Sequence, residues 1–148
     1  MSNEQINQPP RWYRVAAILV LLWSLIGVLA FVFDPGSNEA ALAEMSDAQR
    51  ELFAQRPGWI YAIYGLAVFA SLAGAIGLVL RRRFALPAFA LSLVLVIVQF
   101  AYVLFVLDAI GRLGLAEAAA FPLVVLLIGI FCLWLSLHAR SRGWFHGR

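Results

Sequence analysis

Residues 58–107 read GWIYAIYGLAVFASLAGAIGLVLRRRFALPAFALSLVLVIVQFAYVLFVL, and the only charged side chains in this stretch are three consecutive arginines, Arg81, Arg82 and Arg83. The 23 residues before them and the 24 after them, Gly58 to Leu80 and Phe84 to Leu107, carry no charge. At a rise of about 1.5 Å per residue, roughly twenty helical residues cross a hydrocarbon core of about 30 Å, and a helix satisfies every backbone group internally, as lipid requires. Strands do not need runs of this length. The segment therefore reads as two transmembrane helices turning on a tight basic hairpin.

Two further charge-free runs, Val15 to Phe33 and Ala118 to Leu137, are 19 and 20 residues long. With 64% hydrophobic side chains and 13% charged ones in 148 residues, the chain has too little polar surface to enclose four such runs in a soluble core. Its mean hydropathy of +0.89 agrees. The expected fold is all-α, a single membrane domain over residues 1–148 built as a four-transmembrane-helix bundle. The first run reads as a retained signal anchor. It exceeds the usual signal-peptide core of about 7–15 residues and continues through Phe31-Val32-Phe33, past the passable cleavage site Val28-Leu29-Ala30.

Short basic loops stay on the cytoplasmic side, while acidic residues have little influence. The segment before the first span (Arg11, Arg14), the hairpin (Arg81, Arg82, Arg83) and the tail (Arg140, Arg142, Arg148) hold 8 of the 11 basic residues with one acid, Glu4. The opposite side holds Arg50, Arg56 and Arg112 against seven acids. All three basic segments agree on an orientation with both termini in the cytoplasm. Three arginines pinned at a bilayer surface do not track a phosphate backbone, which disfavours nucleic acid. Attraction to anionic lipid headgroups is the expected additional role of these side chains. Trp12, Tyr13, Trp59, Tyr61, Trp134 and Trp144 fall near span ends, where aromatic residues prefer the interface. Trp23, deep in the first span, either packs inside the bundle or faces lipid.

Between the first two spans, Asp34-Pro35-Gly36 signals a turn. Ser46-Asp47-Ala48-Gln49 matches a capping box, predicting a short extracytoplasmic helix that runs to Gln55 before Pro57. Leu52 and Phe53 would face the membrane surface or the tops of the spans. The segment is expected to connect two spans; a lid over a cavity is the alternative.

Chemistry is sparse. His138, His146 and the lone Cys132 form no metal-ligand pattern, no carboxylate lies inside a span, and no nucleophile-base arrangement or phosphate-binding glycine loop occurs. No catalytic residue, metal or cofactor is expected, and the chain does not read as an enzyme. The polar groups inside the spans are few. Gln99 is the most conspicuous, with Ser92 and Tyr102 on its helical face, Ser71 near the middle of the second span and Ser24 near the middle of the first. These five residues either make interhelix hydrogen bonds or line a path for a small solute.

Seven of the eleven residues from Ala67 to Gly77 are Gly, Ala or Ser, and Ala67, Ala70, Ser71, Gly74 and Gly77 make this stretch the expected packing centre. Small residues let helices approach closely in lipid. The pattern does not decide between packing within the chain and packing across an oligomer.

Pro57-Gly58-Trp59, Ala67-Val68-Phe69, Gly74, Leu80-Arg81-Arg82, Ser92-Leu93, Gln99 and Arg142-Gly143-Trp144 follow one another in an order that resembles a family of small bacterial four-span membrane proteins of unassigned function, sometimes automatically labelled sugar transporters. The resemblance covers most of the chain after Pro57. Where relatives often carry Gly-Gly, this chain has Ala70-Ser71. The resemblance implies the four-span topology and a location in a bacterial inner membrane. Two functions are compatible with these features: an accessory or interaction subunit working through helix packing, as a homo-oligomer or within a larger membrane complex, and an oligomeric small-solute transporter with a polar path around Gln99. The lack of any mid-span proline or internal repeat of the kind many transporters use favours the first.

Overall fold

A computed structural model of the chain describes residues 8–34 and 38–146. The expected Pro35-Gly36 turn, Glu4 and Arg148 lie outside the described residues. Seven α-helices follow one another: α1 Arg11–Val32, α2 Glu39–Ala43, α3 Asp47–Gln55, α4 Gly58–Val79, α5 Ala85–Ala101, α6 Ala109–Leu113 and α7 Leu115–Ser141. A π-helical turn, Tyr102–Val106, prolongs α5. Four helices, α1, α4, α5 with its π-turn, and α7, are long and apolar enough to cross a membrane. The all-helical architecture is the expected one.

The boundaries differ from the charge-free runs for a physical reason. α1 begins at Arg11, where Pro10 takes the extended N-cap conformation, and α7 runs from Leu115 to Ser141. Glu117 in the first turn of α7 and Arg140 in its last complement the helix dipole, so charges that end an apolar run prolong the helix. Between α1 and α4 the chain forms two short helices where one was expected. α2 is capped by the Asn38 side chain, which accepts from the Ala40 amide at 3.1 Å.

α4 lies between α1 and α5, and α5 lies between α4 and α7. The small residues of α4 make this possible. The Phe31 ring of α1 rests on Gly65, the Phe89 ring of α5 on Gly74, and Ala85 of α5 on Gly77. Ala67 and Ala75 are buried between them. Leu93 of α5 fits against Gly129 of α7. The small stretch of α4 is thus filled from within the chain, by both of its neighbours.

At one end of the bundle, here the basic end, α1 starts, α4 turns into α5, and α7 finishes. Two helix C-termini there close with the same hydrogen-bond pattern. After α4, Arg81 adopts φ 58°, its amide donates to Leu78 O at 3.2 Å, and the Arg82 amide donates to Gly77 O at 2.7 Å. After α7, Gly143 adopts φ 69°, its amide donates to Arg140 O at 3.1 Å, and the Trp144 amide donates to Ala139 O at 3.0 Å. Both are Schellman closures, which place a left-handed residue just after the helix. The two are stitched together: Arg81 Nε donates to Trp144 O at 2.8 Å and the His146 amide donates to Arg81 O at 2.6 Å.

Two of the aromatic residues expected near span ends are buried inside the protein at this end. Tyr13 is 1% exposed and Trp144 8%. Tyr13 donates its hydroxyl to Leu78 O at 2.8 Å and meets Trp144 edge-on, in a cluster with Leu78, Leu135 and Ala139. Trp12, Trp59 and Trp134 stay about half exposed, while Trp23 is partly buried.

At the opposite end, which holds every described acid, the Ser46–Gln49 capping box forms as expected and starts α3. Leu52 of α3 packs with Leu107, Ala109 and Ala118. Gln49 Nε2 donates to Glu117 at 3.1 Å and Arg112 lies 3.6 Å from Glu51, fixing α3 to α6 and α7. Arg56 reaches back to Asp34 at the end of α1 at 2.7 Å and covers the Phe53 and Tyr61 rings. α3 thereby straps the end of α1 to the start of α7.

Candidate functional site

The five polar residues of the spans do not gather in one place. Ser24 Oγ of α1 lies 3.0 Å from Ser71 Oγ of α4 and 3.4 Å from Ser71 O, at the α1–α4 contact. Ser92 Oγ of α5 donates to Ala67 O of α4 at 2.8 Å, at the α4–α5 contact. These are interhelix hydrogen bonds on two different flanks of α4. A helical backbone carbonyl has a second lone pair, so Ala67 accepts from Ser92 without giving up its helical partner.

Gln99 and Tyr102 are different. Both are half-buried, and among the described residues neither the Gln99 amide nor the Tyr102 hydroxyl has a hydrogen-bond partner. Among the described residues no fully buried side-chain polar atom lacks a partner, so neither group is fully enclosed. The antiparallel register is set by Ala85 against Gly77, Phe89 against Gly74, Ser92 against Ala67, and Tyr102 against Trp59, whose rings meet edge-on at 4.9 Å. That register puts Gln99 level with the Tyr61–Ile63 turn of α4, where Ala62 is exposed. The π-turn begins at Tyr102, where the Leu107 amide donates to Tyr102 O at 3.1 Å, and such turns are frequent at functional sites. No signal in the sequence announces it.

The arginines expected at the headgroups sit at the basic end. Arg11, Arg14, Arg82, Arg83, Arg140 and Arg142 are exposed and, among the described residues, make no ion pair. Arg81 is partly buried and serves as the stitch to the tail, a role that a reading for charge alone does not reveal. His138 is enclosed by the rings of Trp12, Trp134 and Trp144, with centroids 5.1–5.9 Å away.

Among the described residues no group of His, Cys, Asp and Glu side chains gathers to hold a metal. A shallow open cleft lined by Leu42, Arg50, Phe53 and Ala54 lies on the α2–α3 strap, away from Gln99. The distinctive feature of the spans is therefore the half-buried Gln99–Tyr102 pair beside Trp59, two groups that make no hydrogen bond among the described residues. No protein-family model, curated protein or solved structure matches the chain.

Proposed function

We propose that this chain is a four-span integral protein of a bacterial inner membrane, with both termini cytoplasmic, and that it acts as an accessory or interaction subunit through helix packing. One observation carries this reading. The serines and small residues of α4 are used within the chain, on both flanks of the helix, while among the described residues the Gln99 amide and the Tyr102 hydroxyl make no hydrogen bond. Polar groups split between two interfaces do not make a continuous route for a solute. An unpaired amide at a helix surface, in contrast, is a means of joining another helix in lipid.

The orientation is supported by the charge distribution. Each arginine at the acidic end, Arg50, Arg56 and Arg112, has a carboxylate partner, while the six exposed arginines at the basic end have none among the described residues. Anionic headgroups are the counter-charge this reading assigns to them. The resemblance to small bacterial four-span proteins supports the same topology. A reporter inserted at Ser46 is expected to be active only outside the cytoplasm, and activity of a cytoplasmic reporter there would overturn the orientation.

The transport reading keeps one specific support, the unpaired Gln99 amide. Native mass spectrometry of gently extracted protein, paired with solute flux in vesicles, separates the two. A fixed-ratio polypeptide complex without flux supports the subunit reading. Flux through the isolated chain, lost in Gln99→Leu while the fold survives, replaces it with transport.

A further inference from the structure

We infer that the α1–α7 junction at the basic end holds one anionic phospholipid, with its phosphate at His138 and Arg142 and an acyl chain along the rings of Trp134 and Phe131. The inference rests on the membrane-spanning reading above and narrows its general headgroup attraction to one site. Leu127, Phe131, Trp134, His138 and Arg142 follow at spacings of four, three, four and four, which places them on one face of α7. Arg142 keeps helical angles as the C-cap, so the face continues to it. None of the five is buried. Their rings form a ladder: Phe131 stacks on Trp134 with centroids 5.9 Å apart, Trp134 stacks on His138 at 5.1 Å, and Trp12 of α1 meets His138 at 5.9 Å. The half-exposed Trp12 thereby sets α1 against this face.

The junction offers donors with few competing acceptors. Among the described residues the His138 imidazole and the indole N–H groups of Trp12 and Trp134 make no hydrogen bond. Indole and guanidinium groups only donate. The carbonyls at the end of α7 are already taken: His138 O accepts from the Arg142 amide at 3.0 Å and the Ser141 hydroxyl at 2.8 Å, Ala139 O from the Trp144 amide at 3.0 Å, and Arg140 O from the Gly143 amide at 3.1 Å. Every described carboxylate lies at the other end of the bundle. Such a set fits an acceptor-only anion, and the phosphodiester of an anionic lipid is the one a bilayer supplies. An ethanolamine or choline headgroup adds a cation where arginines are the neighbours and no carboxylate is at hand. The ring ladder selects a lipid over a soluble phosphate. Phe131 lies seven residues before His138, about 10 Å along the helix, against roughly 15 Å for the hydrocarbon of one leaflet. An acyl chain descending from a phosphate at His138 therefore runs over the Trp134 and Phe131 rings, which a soluble anion leaves unused.

The test uses the full chain in detergent, stripped of lipid and titrated with phosphatidylglycerol, phosphatidylethanolamine or phosphatidylcholine of identical acyl chains. Native mass spectrometry counts the bound lipids, and thermal unfolding in the same detergent checks the fold of each variant. The wild type is expected to take up one phosphatidylglycerol about tenfold more tightly than either zwitterionic lipid. Arg142→Gln should weaken this first lipid about tenfold, and His138→Phe, which keeps the ring ladder but removes its nitrogens, about threefold. Arg83→Gln removes the same charge from the hairpin and should leave the first lipid bound as in the wild type. In a second measurement, phosphatidylglycerol with a photoactivatable acyl chain is expected to label residues 127–138 of α7.

Equal affinity for charged and zwitterionic lipids would overturn the inference, as would wild-type binding in both Arg142→Gln and His138→Phe. An equal loss in Arg83→Gln and Arg142→Gln would overturn it by making the attraction diffuse. Displacement of the lipid by excess inorganic phosphate would do so by making the ligand a soluble anion, and labelling confined to α4 or α5 by placing the lipid elsewhere. Binding in detergent is independent of the direction of insertion, so failure of the lipid site and failure of the orientation at the Ser46 reporter are distinguishable.

Discussion

Replacing Arg81 tests whether the basic end is held by side-chain chemistry or merely tolerates it. Arg81 occupies the left-handed position of a Schellman closure with φ 58°, where glycine is usual, while the corresponding position after α7 is Gly143. An L residue in this conformation costs roughly 1–2 kcal/mol. Against that cost stands the hydrogen bond from Arg81 Nε to Trp144 O at 2.8 Å, partly buried and donated by a charged group. Bonds of that kind contribute about 1.5–3 kcal/mol. Arg81→Ala keeps the backbone strain and loses the bond, so it should destabilise the fold by about 1.5–3 kcal/mol. Arg81→Gly loses the bond and releases the strain, so it should recover roughly 1–2 kcal/mol relative to the alanine variant. For a chain of this length, 1 kcal/mol moves the midpoint of a two-state thermal transition by about 2–4 °C. The assay is thermal unfolding in one detergent, combined with hydrogen exchange of the Trp144–His146 amides, which should accelerate in both variants. If alanine matches wild type, the stitch contributes nothing; if glycine matches alanine, the strain is absent.

Gly74→Ala should destabilise by about 1–3 kcal/mol, because a Cβ there meets the Phe89 ring at 2.9–3.0 Å and that ring is 3% exposed with nowhere to retreat. Gly65→Ala, which meets the edge of the partly exposed Phe31 ring, should cost less when both are measured by thermal unfolding. Ser92→Val should lower stability by about 0.5–2 kcal/mol through loss of the bond to Ala67 O, as measured by thermal unfolding. Joint replacement of Arg82 and Arg83 by Ser should reduce the extra stability that phosphatidylglycerol gives over phosphatidylcholine by about 2 kcal/mol, at about 1 kcal/mol per arginine near an anionic surface. Equal lipid dependence in wild type and variant would remove the headgroup role from the hairpin.

The helices were legible because lipid imposes length and composition, and those are properties of contiguous sequence. The start of α3 was legible for a similar reason: Ser46 and Gln49 cap each other across three residues, and no distant group is involved. Legibility ends where the outcome depends on what lies opposite. Nothing local distinguishes Trp12 from Tyr13, yet one stays half exposed and the other is buried, because α7 returns to place Trp144 against Tyr13. Arg81 reads as one of three equivalent charges, and only the proximity of the α7 tail makes a left-handed arginine worth its strain. Helical spacing put Ser92, Gln99 and Tyr102 on one face. It did not indicate that Ser92 bonds Ala67 while, among the described residues, its two companions make no hydrogen bond, which depends on the α4–α5 register.

The division of charge between the two ends links fold to membrane. At the acidic end, arginines hold the chain together: Arg56 joins α3 to α1 through Asp34, and Arg112 approaches Glu51. At the basic end, the tertiary contacts among the described residues include two backbone closures, the Arg81 stitch and the Tyr13–Trp144 cluster. Six exposed arginines are consequently not needed for internal pairing and remain available to the surroundings. Placed against an anionic cytoplasmic leaflet, their mutual repulsion is offset by headgroups; placed on the other side, it is not, and three charged segments would also have to be carried across. In the proposed orientation, the side chains that direct insertion would therefore also stabilise the inserted chain through the headgroups.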